Sequence, residues 1–461
     1  MSVFDGRRLP VDAFGLDVER LRRGWYTDKY FSNVAHILAR AARDGYRFRG
    51  EAPQRIARRL DTTDVDVGNM RVEMQWFPRR RPFCVLAGVD EALAILKECT
   101  GYFGEGGHFV NTYDQTQVWA AQDGDVVPYD GDPMNVSPVL KVRGRYRDFA
   151  ILETPTVGAL TRGSRIATNV YQVLKAARGK PVLFFPARFD SHEVQPGDGY
   201  AYHIAVQLLN RETSADLGSF VSTDAQGQWW GGSGGGTIPH AAIACYLGDV
   251  AEAMMAFAEY MPPEVPRIAL VDFENDCLGD SLKTMKRMFL EWAQAKEEND
   301  EERACRYRLF GVRPDTDSTL RDVSVPPSDD PEADCGVNPR LIRALRRAVD
   351  EAYRGWDIPE RWLPWARQWC REVKIVATGG LNPERIEAFE RQGVPVDIYG
   401  VGSWLLSSCS HCGTSNDFTA DVVRVEINGK WHDLAKVGRR PCDNPQLLPV
   451  DVSHEPPDTR D

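Results

Sequence analysis

KIVATGGLNPERIEAFERQGVPVDIYGVGS, residues 374–403, reads as two short apolar strands, Lys374–Thr378 and Val396–Val401, either side of a helix over Pro383–Gln392. Both strand segments are continuous apolar runs rather than alternating ones, the pattern of parallel strands covered on both faces. Each ends in a pair of glycines, Gly379 with Gly380 and Gly400 with Gly402. Glycine lets backbone N–H groups approach an anion closely, and a helix starting just beyond adds partial positive charge. Either pair alone is bland. In succession they favour a phosphate held at the carboxyl ends of neighbouring strands, in a β/α barrel or a doubly wound sheet.

The same rhythm runs back through the chain to about residue 180. Pro181–Phe185, Ile268–Phe273 and Tyr307–Val312 are further short apolar runs separated by helical stretches, as βα units require. Charges of both signs follow these strands: Arg188 in FFPARFD, Asp272 in LVDFEND, and Arg313 and Asp315 in GVRPDTDS. Arginine grips phosphate or carboxylate through paired hydrogen bonds, whereas aspartate suits ribose hydroxyls or hydrated magnesium. Each alone is equally a structural ion pair; their repetition at strand ends fits a site better. His240 closes the flexible run GGGTIPH, and its spacing does not separate a structural from a catalytic role. Residues 294–306 read as one exposed charged helix and 326–335 as a mobile surface loop.

Ahead of this region, residues 1–65 carry helical apolar spacing, with Tyr30, Val34, Ile37 and Leu38 on one face and Ser32 or Asn33 near a helix start. Residues 70–152 instead show strand-like pieces (Arg71–Phe77, Val118–Ala121, Val139–Val142) between Asp/Gly turns, a small β-rich unit. The basic run Arg79–Arg81 is expected in a solvated loop.

The 461 residues bear a formal charge of −11, with 43% hydrophobic and 27% charged residues, a globular composition without the basic stripe of a nucleic-acid binder. No stretch approaches the roughly 18 consecutive apolar residues of a membrane span, and the opening MSVFDGRRLP lacks a secretory apolar core. The expectation is a cytoplasmic protein with reduced thiols. Cys409 and Cys412, with His411 between them, form one weak metal signal lacking a second ligand pair, so no metal ligands are assigned.

Taken in order, the motifs resemble the nicotinate phosphoribosyltransferase family from about residue 25 to 447. They are Thr27-Asp28-Lys29-Tyr30, LETPTVGALTRGSRIATN, the F-x-x-R of Phe185–Arg188, GTIPH, VDFENDCLGDSL, GVRPDTDS, ATGGLNPERI, IYGVGS, DFTADVVRV and PCDNPQL. The resemblance implies an α/β fold: an incomplete β/α barrel of the type II phosphoribosyltransferases with an additional N- and C-terminal, β-rich α/β domain. The corresponding division is 1–152 for the N-terminal helical and β-rich domain, 153–405 for the barrel, 406–452 for a segment packing back on the N-terminal domain, and 453–461 for a disordered tail. It implies joining of nicotinate to phosphoribosyl pyrophosphate on the route to NAD, with Mg2+, ATP as co-substrate, and a homodimer with shared active sites. Nicotinamide as the base, or a catalytically silent phosphoribosyl-binding protein, are the alternatives.

Roles follow from the same resemblance. Phe185 would stack on the pyridine ring, with Tyr30 of a neighbouring subunit on its other face. Arg188 and Arg313 would grip substrate, Asp315 and Asp272 would serve ribose or magnesium, and His240 would be transiently phosphorylated by ATP. Gly379, Gly380, Gly400 and Gly402 would hold the 5′-phosphate. Two positions depart from the family pattern: Phe189 stands where a second arginine usually follows the first, and the run Phe220-Val221-Ser222-Thr223-Asp224 admits two registers. In one, Ser222 meets a carboxylate substrate; in the other, Asp224 accepts from an amide.

Overall fold

The computed structural model describes residues 3–408 and 418–453, so the Cys409, His411 and Cys412 cluster and the tail beyond Ser453 lie outside the described residues. The chain forms two compact units, one of residues 1–168, 200–208 and 408–461, the other of residues 169–199 and 209–407. The division falls inside the helix Glu153–Ala176, after Thr168, rather than at residue 152.

The first unit is built on a six-stranded antiparallel sheet whose spatial order is Lys430–Asp433, Phe418–Ile427, Arg71–Pro78, Leu140–Arg145, Gln117–Ala120 and Leu448–Val450. The strand Arg71–Pro78 is buried along nearly its whole length. Its apolar side chains Met74 and Trp76 enter the core with Leu86, Leu96 and Phe149. Its polar ones are satisfied across the ladder: Arg143 Nε donates to Glu73 Oε2 at 2.6 Å and Arg424 Nη1 to Glu73 Oε1 at 2.8 Å. The chain's C-terminal segment thus supplies three of the six strands.

Two expectations change here. Arg80 is 1% exposed and donates to Arg165 O, so the basic run is not uniformly solvated; only Arg79 and Arg81 face water. The first long helix is Lys29–Arg43 with Asp28 at its N-cap position, and Ser32 and Asn33 lie inside it. Part of its apolar face is exposed among the described residues: Tyr30 is 63% and Ile37 60% exposed, while Val34 and Leu38 are half-buried.

The second unit holds a five-stranded parallel sheet in the order Val182–Phe184, Ile398–Val401, Lys374–Ala377, Leu309–Arg313, Arg267–Leu270. Its apolar runs are buried as parallel strands between helices should be. Beyond Phe184 the sheet continues through single parallel bridges to Val221 and then to Gly234. Among the described residues no ladder joins Gly234 to Arg267–Leu270, so the β/α barrel is incomplete on that side.

The charged stretch 294–306 is two helices, Cys277–Glu297 and Glu301–Tyr307. They are broken where Asn299 takes φ 60° and Asp300 caps the second by accepting from Arg303 N. Residues 326–335 have no regular structure but are organised by Asp334, whose side chain is 1% exposed, accepts from Ser328 N and Ser328 Oγ, and pairs with Arg340.

Glu153 opens its helix beside Asp28 and Asp421; burial, then those two carboxylates, push its carboxyl up to about 8. The folded state therefore holds this proton more tightly than the unfolded chain, and its stabilising contribution is lost as pH rises from about 4.5 toward 8. Glu153→Gln should raise Tm relative to the parent at about pH 8.5 and leave it unchanged near pH 4, as measured by scanning calorimetry. Parallel Tm curves across that range would contradict the assignment.

Candidate functional site

The charged residues singled out at strand ends converge in the second unit. His240 Nε2 lies 3.0 Å from Asp272 Oδ1, with the imidazole 46% exposed and the carboxylate 8%. Burial raises the Asp272 carboxyl from its ordinary value, His240 pulls it back, and Asp315 pushes it up again. Arg313 Nη2 donates to Ile238 O at 3.1 Å, while its buried Nε has no acceptor among the described residues. Burial draws the Arg313 guanidinium down; Asp315 and Asp272 oppose that, and Arg188 adds repulsion. Two guanidiniums and two carboxylates therefore share one field at the strand ends. The His240–Asp272 and Arg313–Ile238 bonds both span the open side of the barrel, where no strand pairing does so.

Thr378 ties the glycine turn to this cluster by donating to Asp315 Oδ1 at 2.7 Å. Gly379 and Gly380 have φ of 92° and 60°, the left-handed region that a side chain would strain. None of the N–H groups of Gly379, Gly380 and Leu381 donates to an acceptor among the described residues, and the same holds for Gly402 and Ser403. Free amides on two adjacent strand ends are groups that can donate to an anion.

Gly400 is tightly packed. It lies within the strand Ile398–Val401, and a Cβ there would meet Thr378 Cγ2 at 2.6 Å and Phe185 Cε2 at 2.9 Å. Its missing side chain makes room for the Phe185 ring, whose backbone N–H is fixed on Val401 O at 2.9 Å. At Gly402 a Cβ would meet Phe189 Cε2 at 2.8 Å, so the phenylalanine that replaces a second arginine packs on the second glycine turn.

Arg188 follows in the single turn Pro186–Phe189, exposed and without an ion-pair partner among the described residues. Ser222 Oγ and N both donate to Gln226 Oε1, at 3.1 and 2.9 Å. Thr223 caps the short helix Asp224–Gly227, and Asp224 Oδ1 accepts from Gly234 N at 2.9 Å. Tyr30 belongs to the first unit.

Sequence reasoning missed Thr378 and Arg385. Thr378 has no distinguishing spacing. Arg385 has one signal, a cation in the first turn of the helix Pro383–Arg391, where the helix dipole disfavours it.

Residues 58–164 match the family described as the quinolinate phosphoribosyl transferase N-terminal domain. Across the whole chain, the structure of nicotinate-nucleotide pyrophosphorylase from Pyrococcus furiosus is similar, with 26% identity, a TM-score of 0.58, and coverage of 94% of this chain and 84% of that one. Human nicotinic acid phosphoribosyltransferase shares the fold at 16% identity and a TM-score of 0.52, over 87% of this chain and 74% of its own. The chain thus has the fold of the type II phosphoribosyltransferases. Phe185, the glycine turn Gly379–Leu381 and the mixed-charge cluster all lie in the second unit.

Gly400→Ala would drive a methyl group into Thr378 and the Phe185 ring. It should weaken binding of a planar pyridine, with nicotinate as the probe, by about tenfold in isothermal titration, from the loss of ring stacking. Parent-like affinity would remove Phe185 as the wall of the base pocket.

Proposed function

We propose that the chain transfers the phosphoribosyl group of phosphoribosyl pyrophosphate to the ring nitrogen of nicotinate, forming nicotinate mononucleotide and pyrophosphate. The observation that carries this reading is the pair Arg188 and Arg313. Both are guanidiniums at strand ends that repel one another; among the described residues the first lacks an ion-pair partner and the second keeps a buried Nε–H free. Such a pair calls for anionic substrate groups. Asp224 argues for an acid over an amide, because its carboxylate already accepts from Gly234 N and is directed at that loop. Phe189, in place of a second adjacent cation, favours one carboxylate on the base over two. The match of residues 58–164 to a quinolinate-enzyme domain keeps quinolinate as the comparison substrate.

The pyridine nitrogen attacks ribose C1 as pyrophosphate departs with the C1–O electron pair. No general base is needed, so rate enhancement rests on positioning and on stabilising charge on the leaving group. Phe185 orients the ring, the amides of Gly380, Leu381 and Ser403 hold the 5′-phosphate, and Arg313 faces the reacting centre. Among the described residues no cluster of three or more carboxylate, histidine or cysteine ligands forms a complete metal site. Asp272 and Asp315 fit the role of two carboxylates that hold Mg2+ together with substrate phosphates, where the ion would neutralise pyrophosphate.

ATP coupling would run through His240. With Asp272 ionised, Nε2–H donates to it and Nδ1 is left as the nucleophilic nitrogen. Transfer of the γ-phosphoryl group to Nδ1 forms an N–P bond, breaks the terminal P–O–P bond and releases ADP. We place the enzyme in the cytoplasm; no helix among the described residues is long and apolar enough to cross a membrane. The exposed stripe of Tyr30 and Ile37 supports a homodimer in which Tyr30 serves the neighbouring active site.

Turnover of nicotinate, nicotinamide and quinolinate, each with and without ATP, tests the reading: nicotinate should be preferred and ATP should stimulate. Preference for either of the other bases would overturn the substrate assignment. His240→Ala should abolish acid-labile phosphate incorporation from γ-labelled ATP and the ATP stimulation while leaving slower direct synthesis. Label retained at the parent level would exclude His240 as the acceptor. Monomers isolated at high dilution should be nearly inactive; full activity in a monomer verified by light scattering would refute the shared site.

A further inference from the structure

The turn Thr378–Leu381 is held from behind by a single side chain. Arg385 Nη1 donates to Gly379 O at 3.3 Å and to Gly380 O at 2.8 Å, and Nη2 donates to Val337 O at 2.9 Å. Asn382 caps the helix Pro383–Arg391 by accepting from Arg385 N at 2.8 Å, which makes Arg385 a first-turn residue. A cation there opposes the helix dipole. Burial adds to the cost and draws the guanidinium below its ordinary value. No carboxylate among the described residues pairs with it; its donors go to three main-chain carbonyls.

In a trans peptide the C=O of one residue and the N–H of the next point in opposite directions. Drawing the Gly379 and Gly380 carbonyls onto the guanidinium therefore turns the N–H groups of Gly380 and Leu381 to the other side of the turn. Neither meets a protein acceptor among the described residues. The conformation needs glycine at both positions, with φ of 92° and 60°, and a Cβ at Gly380 would lie 3.1 Å from Arg385 Nη1. Thr378, donating to Asp315 Oδ1, secures the other end of the turn. The bond to Val337 ties in the residue just before Asn338, the cap of helix Pro339–Glu351.

We infer that Arg385 is the positioning residue of the phosphate cradle: it holds the two glycine carbonyls away from the anion and so presents two amides to the 5′-phosphate of the phosphoribosyl substrate. This rests on the phosphoribosyl reading above for the identity of the ligand, and on the hydrogen bonds alone for the geometry. Arg385 does not touch the phosphate; it acts through Gly379 and Gly380. Its positive charge, set behind the turn, also favours an anion in front of it.

Ribose 5-phosphate titrated calorimetrically into the full chain isolates this subsite from the chemistry. Arg385→Met should weaken its binding by about tenfold or more, the effect of losing hydrogen bonds made by a charged donor. Nicotinate affinity should stay within about twofold. Arg385→Lys, which keeps one donor and the charge, should recover part of the loss. In steady state the KM for phosphoribosyl pyrophosphate should rise with little change in kcat.

A folded Arg385→Met chain with parent-like Tm and parent-like ribose 5-phosphate affinity would overturn the inference, as would equal loss for both ligands in either variant. If Arg385→Met does not fold, Arg385→Lys decides: selective weakening for ribose 5-phosphate supports the role, and unchanged or indiscriminate binding overturns it. A parent chain that binds no ribose 5-phosphate also overturns it. Arg385-dependent ribose 5-phosphate binding without turnover of any pyridine base would instead remove the functional proposal and leave the positioning role standing.

Discussion

Parallel pairing of Ile398–Val401 with Val182–Phe184 is the interaction on which the rest of the second unit depends. It brings the last strand of that unit beside its first, and the Phe185 N–H continues the ladder onto Val401 O. The packing around Phe185 follows from this pairing. The ring of Phe185 lies against Gly400 and Phe189 packs on Gly402, so that two glycines mark where aromatic side chains press on backbone. The turn Gly379–Leu381 follows the neighbouring strand Lys374–Ala377.

The opposite side of the barrel is held differently. Where strand pairing fails between Gly234 and Arg267–Leu270, side chains span the opening: His240 reaches Asp272, and Arg313 reaches Ile238 O. A closed ladder would saturate the backbone there and leave no reason for polar side chains to converge. The open side concentrates them, and burial without full pairing raises the Asp272 carboxyl and leaves Arg313 Nε unused. Unsatisfied polar capacity at the carboxyl ends of parallel strands is costly for folding alone and makes physical sense when a charged substrate completes it.

The first unit shows the complementary strategy in its central strand, where the buried polar side chains are paired. Glu73 sits in the central strand between Arg143 and Arg424, and Gln75 bonds to Cys442 N and Arg440 O. These bonds bring strands from distant parts of the chain into one sheet. The exposed stripe on the helix Lys29–Arg43 is the unit's contrasting feature, apolar rather than charged.

Local pattern alone determined a good deal about this protein. Continuous apolar runs marked the parallel strands to within a few residues, because a strand covered on both faces has no polar positions to interrupt it. Glycine pairs marked the turns, because only glycine takes the φ of Gly379 and Gly380 at low cost. The ordered motifs marked the family. Tertiary structure decided which partner each polar group found. It buried Arg80 within a run that looked solvated, engaged Asp224 with Gly234, assigned Gly400 to packing against Phe185, and set Arg385 behind the glycine turn. The physical reason is that propensity and periodicity act over a few residues and leave their mark in the sequence. A hydrogen bond between distant segments depends on where the completed sheet places both groups, and no spacing along the chain records that.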